Sequence, residues 1–387
     1  MTIEASVVER VRSRIELSGE PPTAALVAAV LRADGRLLGG QALLDVVTAL
    51  QSDLTGAGPL EPLLQDPEVT DVLVNAPDEV WVERDGVLER ADVRFTSEEA
   101  VRRLAQRLAA SAGRRLDGAA PTVDARIGAG VRLHAVLPPI SPAGTLLSLR
   151  ILRPRAFSIE ELLARGALSP ECATFLIEIV RNKLSFLVTG GTGSGKTTLL
   201  ATLLGLVPPS ERLVLVEDSG ELRPVHPHVV RLEARLPNVE GAGAVDLRDL
   251  VRQALRMRPD RLVVGEVRGA EVVDLLAALN TGHEGGCGTV HANSAESLPF
   301  RLEGLALAAG LGREALHSQL AAGVQVAVHL GRRGGGVRQV TSISVLKRGA
   351  GGLVGVEPAL SLGGDGKYRH GPGAHQLAQL LSTMVPT

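Results

Sequence analysis

The chain is poor in aromatic residues, with five Phe, one Trp and one Tyr among 387 residues. That scarcity argues against a stacking platform for single-stranded nucleic acid. Neither sign of charge is in excess: 41 Lys+Arg face 43 Asp+Glu, a net of −2. A generic phosphate-backbone binder needs surplus cations, so direct nucleic-acid binding is not expected. Cysteine is nearly missing. Cys172 and Cys287 lie far apart in sequence and cannot build a four-Cys zinc site. Two reduced thiols are the expectation. Long apolar runs are missing too. A long uncharged stretch, residues 133–149, is broken by Pro138, Pro139, Pro142 and Gly144, short of the roughly 20 apolar residues that span a bilayer. The start of the chain carries Glu4, Glu9 and arginines without an apolar core, so no signal peptide is expected. Lysine is reduced to Lys183, Lys196, Lys347 and Lys367, which makes each one informative.

What remains has the balance of a globular protein: 45% hydrophobic and 22% charged. The length suits roughly two or three domains. Residues 1–50 read as a helical segment. Val7, Val8, Val11 and Ile15 fall at helical spacing, and Pro21-Pro22 and Gly39-Gly40 separate this stretch from two further apolar-periodic ones. Residues 51–152 read as a small α/β domain. It has strands at 69–75 and 79–84, a helix capped by Ser97, and strands at 123–127 and 131–136. Residues 153–170 look like a linker. From 171 to 348, strands at 185–189, 212–217, 229–233, 261–265 and 288–291 alternate with helices, which predicts a mostly parallel sheet. Residues 349–387 read as a Gly-rich tail, partly disordered.

The chemistry centres on one loop. A buried-strand run at 184–189 leads into Gly190-Gly191-Thr192-Gly193-Ser194-Gly195-Lys196-Thr197-Thr198, with Leu199, Leu200, Leu203 and Leu204 next at helical spacing. This is a phosphate-binding loop in its required strand–loop–helix context. Glycines let successive N–H groups turn inward toward phosphate oxygens, and the adjoining helix adds positive potential. Lys196 is expected to neutralise β- and γ-phosphate charge, and the Thr197 hydroxyl to ligate Mg²⁺. The loop says nucleotide, not what the energy drives.

Downstream acids complete the pattern. The apolar strand at 261–265 ends in Glu266, the best candidate for polarising a water, directly or through the metal's water shell. The strand at 213–216 ends in Glu217-Asp218, and Glu217 is the second candidate; their roles cannot be divided from sequence. His283 and His291 flank a Gly-rich turn and by themselves read as core or loop histidines. Arg248, Arg252 and Arg256 sit at i, i+4 and i+8 on one helical face, with Arg258 and Arg261 close behind. Either a solvated face or charge facing a nucleotide or neighbouring subunit would explain them.

Together these motifs resemble the secretion ATPase superfamily of type II and type IV secretion and type IV pili. Its Walker A loop, aspartate box, Walker B ending in Gly-Glu and histidine box correspond to residues 190–198, 216–222, 262–268 and 281–294. Segments 254–269, 58–64 and 72–78 are similar to the TadA/CpaF branch, motors of tight-adherence pili. The resemblance spans about residues 55–345. It implies a RecA-like ATPase domain after a smaller PAS-like α/β domain, ATP and Mg²⁺ as ligands, and a homo-hexameric ring. It also implies roles as γ-phosphate-side or sensor positions for His283 and His291, and phosphate-directed roles for Arg150 and Arg132 of the first domain. The four-Cys zinc subdomain of many relatives is missing, and Cys287 stands where the histidine box usually has another small or polar residue.

The resulting expectation is a cytoplasmic ATP hydrolase, peripheral at the inner face of the cell membrane. It would power Tad-type pilus assembly or secretion through an inner-membrane platform. A VirB11-like role in conjugation or type IV secretion is the alternative, and a nucleotide-switched scaffold with little turnover is a third reading.

Overall fold

The computed structural model describes residues 28–29, 56–84, 86–128, 130–151, 156–235, 237, 242–332 and 337–382. The helical segment expected at 1–50 lies outside them, apart from Ala28 and Ala29, which are helical. The chain divides into two compact units, Met1–Arg153 and Pro154–Thr387.

The first unit is built on a six-stranded antiparallel sheet of order β3-β2-β1-β6-β5-β4. A short helix, α1 (Glu61–Gln65), precedes β1 (Val69–Ala76), β2 (Glu79–Arg84) and β3 (Val87–Arg90). Helix α2 (Glu98–Ser111) then leads to β4 (Thr122–Ile127), β5 (Val131–Val136) and β6 (Leu146–Ile151). Period-2 alternation sends Val72, Val74, Val80, Val82, Leu133, Ala135, Leu147 and Leu149 to one buried face. Helix α2 contributes Val101, Leu104, Ala105 and Leu108 to the same core. Its first turn is fixed by the Ser97 hydroxyl, which accepts from the Ala100 N–H at 3.3 Å.

The second unit carries a nine-stranded sheet of order β15-β14-β13-β12-β7-β11-β10-β8-β9. Helices α3 (Ile159–Ala164) and α4 (Pro170–Arg181) lead into β7 (Phe186–Gly190), α5 (Lys196–Leu204), β8 (Leu213–Glu217) and β9 (Val229–Glu233). Helix α6 (Leu247–Ala254), β10 (Arg261–Val267), α7 (Glu271–Leu279) and β11 (Cys287–His291) come next. The unit closes with α8 (Leu298–Ala308), α9 (Arg313–Gly323), β12 (Val326–Arg332), β13 (Arg338–Arg348), β14 (Val354–Leu362), β15 (Tyr368–His370) and α10 (Ala374–Ser382). From β12 to β9 every neighbour is parallel; β13, β14 and β15 extend the sheet antiparallel. The central strands are buried on both faces, which is why they read as unbroken apolar runs. Phe186, Val188, Leu213, Leu215 and Val263 face a core shared with α3, α4, α5 and α10. Leu187, Val214, Val216, Leu262 and Val264 face α6 to α9.

Two sequence expectations need correction. The stretch assigned to a 153–170 linker contains α3, whose capping box joins Ser158 and Glu161, and whose Ile159 and Leu162 are buried with Leu168 in the second unit's core. The 349–387 segment is no loose tail over its described part. It supplies β14, β15 and α10, and Leu377 is fully buried. Its glycines do local work at turns, as Gly352 (φ 78°) and Gly366 (φ 83°) show. Between them, Val354, Ala359 and Leu360 enter the core.

Candidate functional site

In an open parallel sheet the strand carboxyl ends open onto a crevice. Here β7, β11, β10 and β8 are adjacent, so Gly190, His291, Glu266 and Glu217 end side by side. The register places His291 directly opposite Gly190.

The loop after β7 needs its glycines. Gly190 has φ 153°, and a Cβ there would stand 2.6 Å from both the Leu330 carbonyl and Ser194 Oγ. Gly193 (φ 66°) and Gly195 (φ 96°) are left-handed, and Gly195 caps α5. Lys196 Nζ donates to the carbonyls of Gly190 at 3.0 Å and Gly191 at 2.9 Å. Burial lowers the pKa of this amine, while Glu266 and Glu221 act in the opposite direction. Gly191, Thr192 and Gly193 are exposed, and Thr197 and Thr198 are partly so. Ser194 Oγ is buried without a hydrogen-bond partner.

The acids are held in different ways. Glu217 is 3% exposed, and its Oε1 accepts the N–H groups of Glu221 at 2.9 Å and Leu222 at 2.8 Å. Its Oε2 is buried with no partner. Burial pushes its pKa up to about 7, against the two backbone donors, which lower it. Gly265 makes room for it: a Cβ there would meet Glu217 Cγ at 2.7 Å. Glu266 is reached by His291, whose Nε2–H donates to Glu266 Oε1 at 2.6 Å. The neighbouring Asp218 pairs with Arg268.

A cradle that side chains would fill, an ammonium within it and a buried carboxylate oxygen with no partner fit a phosphate group and a hard divalent cation. Oxygen donors at Thr197, Glu266 and Glu217 suit Mg²⁺ chemically.

The remaining candidates each have partners of their own. His283 precedes β11, whereas His291 ends it, and its Nδ1 lies 3.2 Å from the Ala278 carbonyl. The four steps of β11 put roughly 13 Å between the two ends. Within one chain His283 is therefore not part of the phosphate end, which corrects the pairing of the two histidines. Arg132 and Arg150 belong to the first unit, where they are cross-strand neighbours. Arg132 makes a bidentate pair with Asp124 at 3.1 and 2.7 Å, and Arg150 pairs with Asp71 at 3.0 Å. The arginine stretch has a local purpose. Arg248 and Arg252 both bind Asp274 of α7, at 2.6 and 2.8 Å, and fasten α6 to it. Cys172 and Cys287 are buried and free, their thiol pKa values pushed up to about 12 mainly by burial.

Sequence reasoning missed β12, the strand on the other side of β7. His329 on β12 places Nδ1 2.8 Å from Thr189 Oγ1, and burial lowers its pKa. Arg332 Nη2 donates to the Gly193 carbonyl at 3.1 Å. The alternation of Val326, Val328 and Leu330 was the available signal.

The family described as "Type II/IV secretion system protein" matches residues 53–334. The chain belongs to this family. A Mycobacterium tuberculosis (strain H37Rv) protein named for conjugal transfer is 59% identical over 321 residues, covering 81% of this chain and 91% of that one. The type IV secretion system protein PtlH of Bordetella pertussis is 34% identical over 271 residues, covering 63% of this chain and 78% of its own. Among solved structures, the pilus retraction motor PilT with bound ADP superposes with a TM-score of 0.53 at 24% identity. That match covers 72% of this chain and 79% of PilT and shows a shared fold. Among the described residues, no helix is long and apolar enough to cross a membrane.

Proposed function

We propose that this chain is an ATP-hydrolysing motor subunit of a conjugation or type IV secretion apparatus. The observation that carries the chemistry is the meeting of Lys196, Glu217, Glu266 and His291 at the carboxyl ends of adjacent strands, with His291 fastened to Glu266 at 2.6 Å. The loop N–H groups and Lys196 bind the ATP phosphates. Mg²⁺ would be held by Thr197, with Glu266 acting through a water, and would neutralise charge on the phosphates when bound. Glu266 orients and deprotonates the attacking water. His291 holds the Glu266 carboxylate in one orientation beside Gly190. Glu217, poised near neutrality, is a second proton-accepting group at the same end.

The names of the relatives support the conjugation and type IV secretion setting over the pilus setting that the sequence put first. The Tad-type pilus remains a second reading, supported by segments 254–269, 58–64 and 72–78 and their similarity to the TadA/CpaF branch. Neighbouring genes discriminate: a tight-adherence membrane platform supports the pilus, a mating-pore set supports conjugation. In either setting six copies would form a ring at the cytoplasmic face, docked on inner-membrane proteins. Arg132 and Arg150 would then leave their carboxylate partners for phosphates, and the first unit would be the PAS-like domain of the family.

The test is ATP hydrolysis measured against protein concentration, with mass determined on the same samples. A rate per chain that climbs as hexamers form supports a ring motor. A monomer that binds ATP and turns it over at a negligible rate at every concentration makes the chain a nucleotide switch instead.

A further inference from the structure

We propose that Arg332 is a positioning residue of the phosphate loop, acting through the Gly193 carbonyl. This rests on the reading of residues 190–198 as a nucleotide phosphate site. Arg332 lies outside every sequence motif of that site, at the exposed end of β12. The strand is pressed against the loop. Leu330 is the register partner of Gly190, and its carbonyl would stand 2.6 Å from a Cβ on Gly190. Two residues further on, the Arg332 guanidinium reaches across and donates to the Gly193 carbonyl at 3.1 Å. The approach is close enough that a Cβ on Gly193 would meet Nη2 at 2.8 Å. Arg338, the cross-strand partner of Arg332, packs its Cδ 3.7 Å from a Cβ position on Gly195.

The consequence comes from the planarity of the peptide unit. The Gly193 carbonyl and the Ser194 N–H belong to one trans peptide and point in opposite directions. Tethering the carbonyl to Arg332 therefore turns the Ser194 N–H the other way, into the loop. There it lies 3.4 Å from the Gly191 carbonyl, the same oxygen that accepts from Lys196 Nζ at 2.9 Å. Arg332 thus keeps the Ser194 N–H on the inner side of the loop, turned to the carbonyl that also holds the loop's ammonium. Two glycines of a flexible loop cannot do this alone, because Gly193 is free to rotate in either direction. A guanidinium suits the task, since it stays charged and its planar fork holds a fixed geometry.

The test uses the full-length chain in Mg²⁺ buffer with N-methylanthraniloyl-ADP as the fluorescent probe. Arg332→Ala should weaken probe binding roughly 5- to 10-fold, the loss expected when one charge-assisted hydrogen bond that orders a site is removed. The KM for ATP should rise by a similar factor while kcat falls by less. The melting temperature without nucleotide should move by no more than about 2 °C, since the contact is exposed. Arg332→Lys, which keeps a long stem and a donor, should recover most of the affinity. Gly193→Ala should also weaken binding, through its positive φ and its collision with Nη2. The double variant Gly193→Ala/Arg332→Ala should be no worse than the weaker single, because both act on one peptide. Additive losses, or an Arg332→Ala chain that binds the probe like wild type, overturn the proposal while the nucleotide site stands. A wild-type chain that does not bind the probe removes the reading beneath it, and the proposal with it.

Discussion

At the amino ends of the parallel strands, Arg261 is 1% exposed, yet its charge is paired. Its Nε donates to Glu211 at 2.7 Å and its Nη2 to the Val180 carbonyl at 2.9 Å, while Lys183 binds the other Glu211 oxygen at 3.2 Å. At the carboxyl ends of the same strands, buried polar groups are left incomplete. Glu217 has a carboxylate oxygen without a partner, Ser194 has a hydroxyl without one, and Lys196 rests on two carbonyls instead of an anion. One end of the sheet therefore closes a buried ion pair, while the other leaves a buried carboxylate oxygen and a buried hydroxyl open beside an ammonium. Buried polar groups are ordinarily paired, so the end that leaves them unpaired is the one shaped for a ligand.

The sharpest way to break that comparison is Lys196→Ala. Turnover should fall by on the order of 10⁴-fold with the fold intact, because the phosphate charge loses its buried counterion. Hydrolysis assays with circular dichroism on the same sample check it. Next comes the paired end: Arg261→Met should cost about 3–5 kcal/mol by leaving Glu211 buried beside a single exposed lysine. Urea unfolding would read that loss, while nucleotide affinity of the folded protein should not change. A stability loss that instead tracked nucleotide affinity would erase the contrast between the ends.

Glu266→Gln should keep nucleotide binding and lower kcat by on the order of 10³-fold, as for removal of a general base. Single-turnover kinetics separate the two effects, and normal hydrolysis would reassign the water-activating role. Glu217 gives a pH test. Its folded pKa of about 7 lies above its ordinary 4.5. The folded state therefore holds the proton more tightly than the unfolded chain. The stability this lends is full below pH ~4.5 and lost as pH rises through ~7. Glu217→Gln should accordingly be the more stable chain at pH 8 in metal-free buffer, by up to about 3 kcal/mol, with the gap closing as pH falls toward 4.5. Equal melting curves at pH 8 would mean the carboxylate is solvated after all. The smallest effect belongs to an exposed pair: Arg252→Ala should cost less than about 1 kcal/mol, since Arg248 keeps its hold on Asp274.

The parallel half of the second unit was legible because both faces of its strands are buried. Residues 213–216 and 262–264 are continuous apolar runs with little else to be. The loop at 190–198 was legible because few functions need that glycine spacing next to a lysine. The antiparallel half was not. In β13 and β14, polar residues such as Ser342 and Glu357 stand beside core positions, and Ser344 is itself buried, so neither strand reads as an apolar run. His283 was paired with His291 by the resemblance to the family's histidine box, although the strand expected at 288–291 already lay between them and sets them at opposite ends of β11.

The sequence by itself determined the chemistry on offer: the loop, the two acids, the histidines and the strands that carry them. Those are local matters of residue type and spacing, settled by steric freedom and by side-chain chemistry. Only the tertiary structure decided which of them meet. Strand order set Glu217, Glu266, His291 and the loop at one end and left His283 at the other, because side-by-side hydrogen bonding fixes neighbours that chain distance does not. It also brought β12, late in the chain, beside β7, and so put Arg332 within 3.1 Å of a glycine carbonyl 139 residues earlier.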